Sequence, residues 1–328
     1  MNNIKKTSPG RRAGSRPSRT SIRTILGAAV GCALIGASAP VRADRITGTR
    51  YFRPETDLIA LHYDHAGDRD DGHSAAADLT MLVSLYGRAW VQERAVPVSG
   101  AFGLNKKLFV PESDVVMDAV WGRGGWIAAA RDWNAAVRAA EARWRAILQQ
   151  GGNVYVKEGG QSDFTAAVVR RLQQTMPGVY LRNRIYVVQH SIWNEQQTTP
   201  EALAFVKENT KYSRIRDGNR FLNVEGGDRE FERLAVSHPL FGEAWRAAFA
   251  YYPPSIRLDF SDTAELMHIL KLGEIGIQEF AQRFLAPGAV TPPPPPSGTG
   301  GNGTVESPPP SDTSDTRTRR STRSGSGR

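Results

Sequence analysis

The chain has 328 residues, 42 Lys and Arg against 33 Asp and Glu, 40% hydrophobic residues, seven Trp and one Cys. That apolar content excludes a wholly disordered chain, and a single Cys excludes an internal disulfide framework and a Cys-based zinc site. The net charge of +9 belongs to the two ends: residues 1–43 carry eight basic residues and no acid, residues 287–328 carry five Arg against three acids, and residues 44–286 are left at −1, which argues against a nucleic-acid-binding body.

In chain order, a basic stretch from Lys5 to Arg23 leads into the apolar run 25–39 and then Pro40-Val41-Arg42-Ala43. This is the pattern of an export signal cut after Ala43. The apolar run is too short for a comfortable membrane span. The mature chain is therefore expected to begin near Asp44, to lack Cys, to have no membrane span and to be secreted or periplasmic. Next, Leu58–Tyr63 reads as a buried strand, short, apolar and closed by a polar loop. A helix is expected over 74–86, with Gly87 as its C-cap, and a second strand over 91–99. The longest helix is expected over 127–150, where Trp133, Val137, Ala140, Trp144 and Leu148 recur at helical steps before Gly151-Gly152. A strand over 153–157 and a helix over 163–175 follow, then a strand over 184–189 and a helix from Pro200 to about 208. Further helices are expected near 228–236, 241–250, 263–270 and 276–285. The last 42 residues, with a five-proline run from Pro292 to Pro296 and an Arg-rich end, cannot bury a core and read as a disordered tail. Contact of that tail with polyanionic surfaces is a secondary expectation. Alternation of strand and helix predicts an α/β domain over 44–286, with a mainly parallel sheet and helices on both faces. Ligands in such folds bind beyond the carboxyl ends of the strands.

The first of those ends is the most informative. Asp64-His65-Ala66-Gly67-Asp68-Arg69-Asp70-Asp71 places four carboxylates within eight residues between a strand and a helix. Packed together without a cation they would repel by about 4 kcal/mol per pair at ~4 Å and an effective dielectric of 20. The residues leave two readings open: a solvated loop whose Asp70 or Asp71 favours the helix dipole, or a cation site. Oxygen-only donors would suit Ca²⁺ in preference to Mg²⁺, and not Zn²⁺. The spacing is not that of an EF-hand.

The order strand, D-x-x-G-D-x-D-D-x-x-S, apolar helix resembles the start of nucleoside hydrolase-like proteins, in particular a divergent branch with a D-x-G-G-D-x-D-D loop. The resemblance implies a Rossmann-like fold and assigns roles residue by residue. Asp64 would be general base and calcium ligand, Asp70 would bind the sugar, and Asp71 would be a bidentate calcium ligand. Val154 to Asp163 is similar to the family's strand followed by Thr-Gly-Pro-Leu-Thr-Asn, so that the Glu158 carbonyl would reach calcium. Asp259-Phe260-Ser261-Asp262 is similar to the family's His-Asp-Pro, so that Asp262 would be the last calcium ligand. Three departures stand out. His62 occupies the place of the family's first aspartate, Ser261 that of its histidine, and Ser99-Gly100-Ala101-Phe102 that of its Gly-Asn. After the strand at 184–189, His190, Trp193 and Asn194 are on the functional face as candidate substrate contacts: a donor, a stacking ring and a hydroxyl binder.

These readings converge on an exported, calcium-dependent hydrolase of a glycosidic bond, with N-ribosyl the form the resemblance implies. The substrate would be a small glycoside or nucleoside. Carboxylates near the ring would stabilise an oxocarbenium-like state, and a metal would lower the pKa of the attacking water. The alternative is a non-catalytic carbohydrate- or nucleoside-binding protein on the same fold.

Overall fold

The computed structural model describes residues 51–288, Asp68 excepted. The expected export signal and the Pro-rich tail therefore lie outside the described residues. Within them the chain forms a six-stranded parallel sheet of order β3-β2-β1-β4-β5-β6, where β1 is Leu58–Tyr63, β2 Ala95–Ser99, β3 Ile127–Ala128, β4 Val154–Gly159, β5 Ile185–Gln189 and β6 Lys211–Arg214. The chain winds outward from β1 through β2 and β3, then crosses back to build β4, β5 and β6 on the other side. The reversal between β1 and β4 is the topological switch of a doubly wound α/β fold, the place where such sheets open a crevice.

The central strand shows why the sheet is buried on both faces. Ile59, Leu61 and Tyr63 point into one core, with α1 (Asp70–Arg94), α2 (Ser113–Trp121), α7 (Arg229–Ser237), α8 (Gly242–Tyr251), α9 (Thr263–Ile269) and α10 (Ile277–Phe284). Leu58 and Ala60 point into the other, with α3 (Trp133–Gln149), α4 (Asp163–Thr175) and α6 (Pro200–Asn209). The remaining elements are short: α5 (Ile192–Gln197) and an antiparallel pair, β7 (Asn223–Glu225) with β8 (Arg257–Asp259). No helix among the described residues is long and apolar enough to cross a membrane.

Two expected elements shift. The strand expected over 91–99 begins only at Ala95, because helical structure resumes beyond Gly87 and carries Val91 into the core. Gly87 does interrupt α1, with φ of +81°, a conformation open to glycine. The helix expected from 127 begins at Trp133. Asp132 caps it by accepting from the Ala135 amide, which leaves Ile127–Ala128 free to pair with Val98–Ser99.

Candidate active site

Four chain segments meet at the carboxyl edge of the sheet. The loop after β1 brings Asp64, Asp70 and Asp71. The end of β4 brings Gly159, and the turn after β5 brings His190, Ser191, Trp193 and Asn194. The turn between β8 and α9 brings Ser261 and Asp262. With Asn219 they line one cavity of about 120 Å³. Asp64, Asp70, Asp71, His190, Trp193, Asn194 and Asp262, expected on this face from the sequence, are thus gathered in one place. Glu158 is not. Its carbonyl accepts from the Gln189 side-chain amide at 2.6 Å, and its carboxylate turns to the opposite core, bonded to His62 Nδ1 at 2.9 Å and Thr165 Oγ1 at 2.6 Å. Gly159 is what β4 presents to the cavity. His62 lies in that same buried His–Glu–Thr cluster and does not line the cavity.

The backbone at the site is unusual in two places. His65 (φ +49°) and Ser191 (φ +67°) are non-glycine residues with positive φ, each two residues beyond a strand end. Such conformations persist where the surroundings over-determine them. At His65 the fixing contact is visible: its amide donates to Asp71 Oδ2 at 2.5 Å, tying the loop to the first turn of α1. At Ser191 the side chain accepts from the Trp193 amide and starts α5. Trp193 is 42% exposed at the rim, and its ring tip approaches Gly67 across the mouth.

Asp64 is buried and holds three donors at 2.8 Å: the Ala66 amide on Oδ1, and Asn105 Nδ2 and Gln161 Nε2 on Oδ2. Burial nevertheless wins and raises its pKa to about 6. Asp71 lies close enough to Asp64 and Asp262 for their charges to act on it. Burial, then the charges of Asp64, Asp262 and Asp70, hold it well above the usual carboxylate range. Its Oδ1 is buried without a partner, and a buried oxygen of this kind calls for a proton or a cation. Asp262 behaves differently. Burial alone would raise it, but Lys157 and His190 override burial and bring it down to about 2. His190 Nε2 donates to Asp262 Oδ1 at 2.6 Å, and Nδ1 faces Asp217 Oδ1 at 3.5 Å. Burial would lower His190, yet these two carboxylates push it up to about 10. The Gly218 amide also points at Nδ1, from 3.3 Å, so this nitrogen lies between that amide and Asp217 Oδ1.

Among the described residues, no three His, Cys, Asp or Glu side chains are gathered as a metal-binding group. The geometry gives the reason: Asp262 is turned to His190 and Lys157, and Asp71 Oδ2 serves His65. In kind, however, the donors fit a hard cation. They are all oxygen, burial raises the pKa of two of them, and Asp71 Oδ1 is unpartnered. Asp64, Asp71 and Asp262 are the residues that would hold it.

Several participants were not read from the sequence. Asn105 supplies an amide from the loop after β2. Gln161 orients Asp64 from the start of α4. Glu265 accepts the His190 amide at 2.6 Å. Lys157, expected as the polar end of a strand, is fully buried beneath the site. Compared with known proteins, the chain matches no family model, no curated protein and no solved structure.

Proposed function

We propose that this cavity binds one divalent cation, calcium in preference to magnesium, and hydrolyses the glycosidic bond of a small glycoside, with an N-riboside as the first substrate to test. We place this activity outside the cytoplasm, in keeping with the export-like N-terminal sequence. The observation that carries the reading is the convergence of Asp64, Asp71 and Asp262 around an unpartnered buried oxygen, on a sheet edge where doubly wound folds bind ligands.

The roles follow from the environments. Asp64, with a pKa near neutrality, is suited to take a proton from water. Asn105 and Gln161 hold its Oδ2 and fix the direction of that proton transfer. Asp70, in the first turn of α1, and Asn194, next to Trp193 in α5, line the cavity and would accept from and donate to sugar hydroxyls. Asp71 and Asp262 add negative charge where an oxocarbenium-like sugar would develop positive charge. His190, its pKa raised by Asp217 and Asp262, would add positive charge beside the same space and hold Asp262 in place. A bound cation would supply the charge that lets Asp64 and Asp71 ionise together, and would lower the pKa of the attacking water. Trp193 offers the leaving group an aromatic face at the rim.

The second reading, a binding protein without turnover, is favoured by Ser261. Its buried hydroxyl has no partner and stands where the resembled family has a histidine. Release of the chromophore from a chromogenic riboside, measured with calcium and with EDTA, separates the two. Calcium-dependent turnover that Asp64→Asn abolishes supports the hydrolase. Saturable ribose binding without turnover overturns it in favour of the binding protein.

A further inference from the structure

Lys157 is buried in the centre of the sheet, and its surroundings exceed what a structural ion pair needs. Its Nζ is 3.6 Å from Asp78 Oδ2, 3.9 Å from Asp262 Oδ2 and 3.5 Å from the His62 carbonyl, and it lies 4.1 Å above the Tyr63 ring. Asp78, on α1, also accepts from the Tyr63 hydroxyl at 2.7 Å. Asp78 alone would serve as partner for a buried ammonium. The side chain nevertheless continues toward the cavity, and it passes over Gly159. A Cβ on that residue would overlap Nζ and lie 3.1 Å from Asp262 Oδ2. The absence of a side chain at Gly159 is what lets the ammonium and Asp262 meet.

The charge balance gives this contact a consequence. Asp71, Asp78, Asp262 and Glu265 are buried and close enough to Lys157 for their charges to act on it, Asp64 is buried near Asp71, and the buried cations facing them are Lys157 and His190. Carboxylates in that excess cannot all ionise without more positive charge, and each partner already on Asp262 is one that an incoming cation must displace or repel.

Resting on the reading of the cavity as a divalent-cation site, we propose that Lys157 is its resident counter-cation: the ammonium keeps Asp262 in place when no metal is bound and competes with the metal for Asp262 Oδ2, so that the native site binds its ion weakly. Lys157 is thus a positioning residue, acting on the ion through Asp262. A lysine that merely paired with Asp78 would affect stability and leave metal affinity unchanged.

The test is calorimetric titration of calcium into EDTA-stripped full-length protein, wild type against Lys157→Met, with thermal melts of both. The expected result is calcium affinity at least tenfold tighter in Lys157→Met, together with a lower melting temperature without calcium that calcium restores. If Lys157→Met does not fold, Lys157→Gln removes the charge while keeping a polar side chain of similar length, and it is expected to tighten calcium binding in the same direction. Equal calcium affinity in wild type and variant overturns the inference and leaves the cation site standing. Binding in the variant alone supports the inference and overturns the reading of the native cavity as a calcium site. Absence of binding in both overturns both.

Discussion

Asp64 allows the electrostatics of the cavity to be tested without a substrate. Its pKa is raised by burial from 3.8 to about 6 in the folded chain. At 1.36 kcal/mol per unit, the ionised form then costs the fold about 3 kcal/mol above pH 6. The sign follows from proton binding: between pH 3.8 and 6 the folded state holds the Asp64 proton more tightly than the unfolded state, so stability falls as pH rises through that window. Buried His65 and His73 work in the opposite sense, because burial lowers them to about 3 and about 4 and their contribution grows as pH approaches 6.5. The quantity to read is therefore the difference in unfolding free energy between Asp64→Asn and wild type, from urea denaturation at a series of pH values. In EDTA this difference should move in favour of the variant by about 2–3 kcal/mol between pH 4 and pH 7. With saturating calcium the movement should shrink or reverse, because the cation selects the ionised carboxylate. A difference that is flat with pH in EDTA would refute the claim that burial raises the Asp64 pKa to about 6.

Three further outcomes are expected. His190 is pushed up to about 10 by Asp217 and Asp262 against the effect of burial, so its contribution is fully present below pH 6.5 and is lost as pH rises toward 10. The stability gap between wild type and His190→Gln should accordingly narrow between pH 6.5 and 9.5, and a constant gap in melts over that range would show that the charged form is not what Asp262 holds. Ending the chain after Gly288 should leave the melting temperature within roughly 2 °C of the full chain, since the composition beyond it buries no core; a larger cooperative loss would contradict this. N-terminal sequencing of exported protein should find Asp44 or a neighbouring residue, and residues 1–43 retained in that material would contradict cleavage.

How far the sequence revealed this arrangement depended on element length and on the range of each interaction. β1 was legible because six apolar and aromatic residues end abruptly at Asp64, and α4 because Asp163–Thr175 carries a clear amphipathic pattern. The acidic loop was legible as a whole, since a strand end followed by Asp70-Asp71 at a helix start is a local pattern. The three-residue strands β7 and β8 were not, because three residues show no periodicity; their pairing is set by the Asn223–Asp259 register at long range. α5 was missed for the same reason, and it is started by an irregular Ser191 backbone that no propensity announces. Lys157 was the largest omission. At the end of Asn153–Lys157 it reads as the polar residue that closes a strand, and Asp78 reads as one polar position in an alanine-rich helix. Only the packing of α1 against β4 makes them a pair. The one signal available was a lysine in the middle of a central parallel strand, where both faces are expected to be buried.

The shared cation site is tested most directly by titrating calcium into EDTA-stripped wild type and Asp262→Asn by calorimetry. Asp262 arrives from the turn after β8 and Asp71 from the start of α1, so both can matter to one ion only if that ion sits in the cavity they line. The account predicts one calcium ion per chain in wild type and binding at least tenfold weaker in Asp262→Asn, a loss of about 1.4 kcal/mol or more. No calcium binding by wild type, or equal binding by Asp262→Asn, would contradict it.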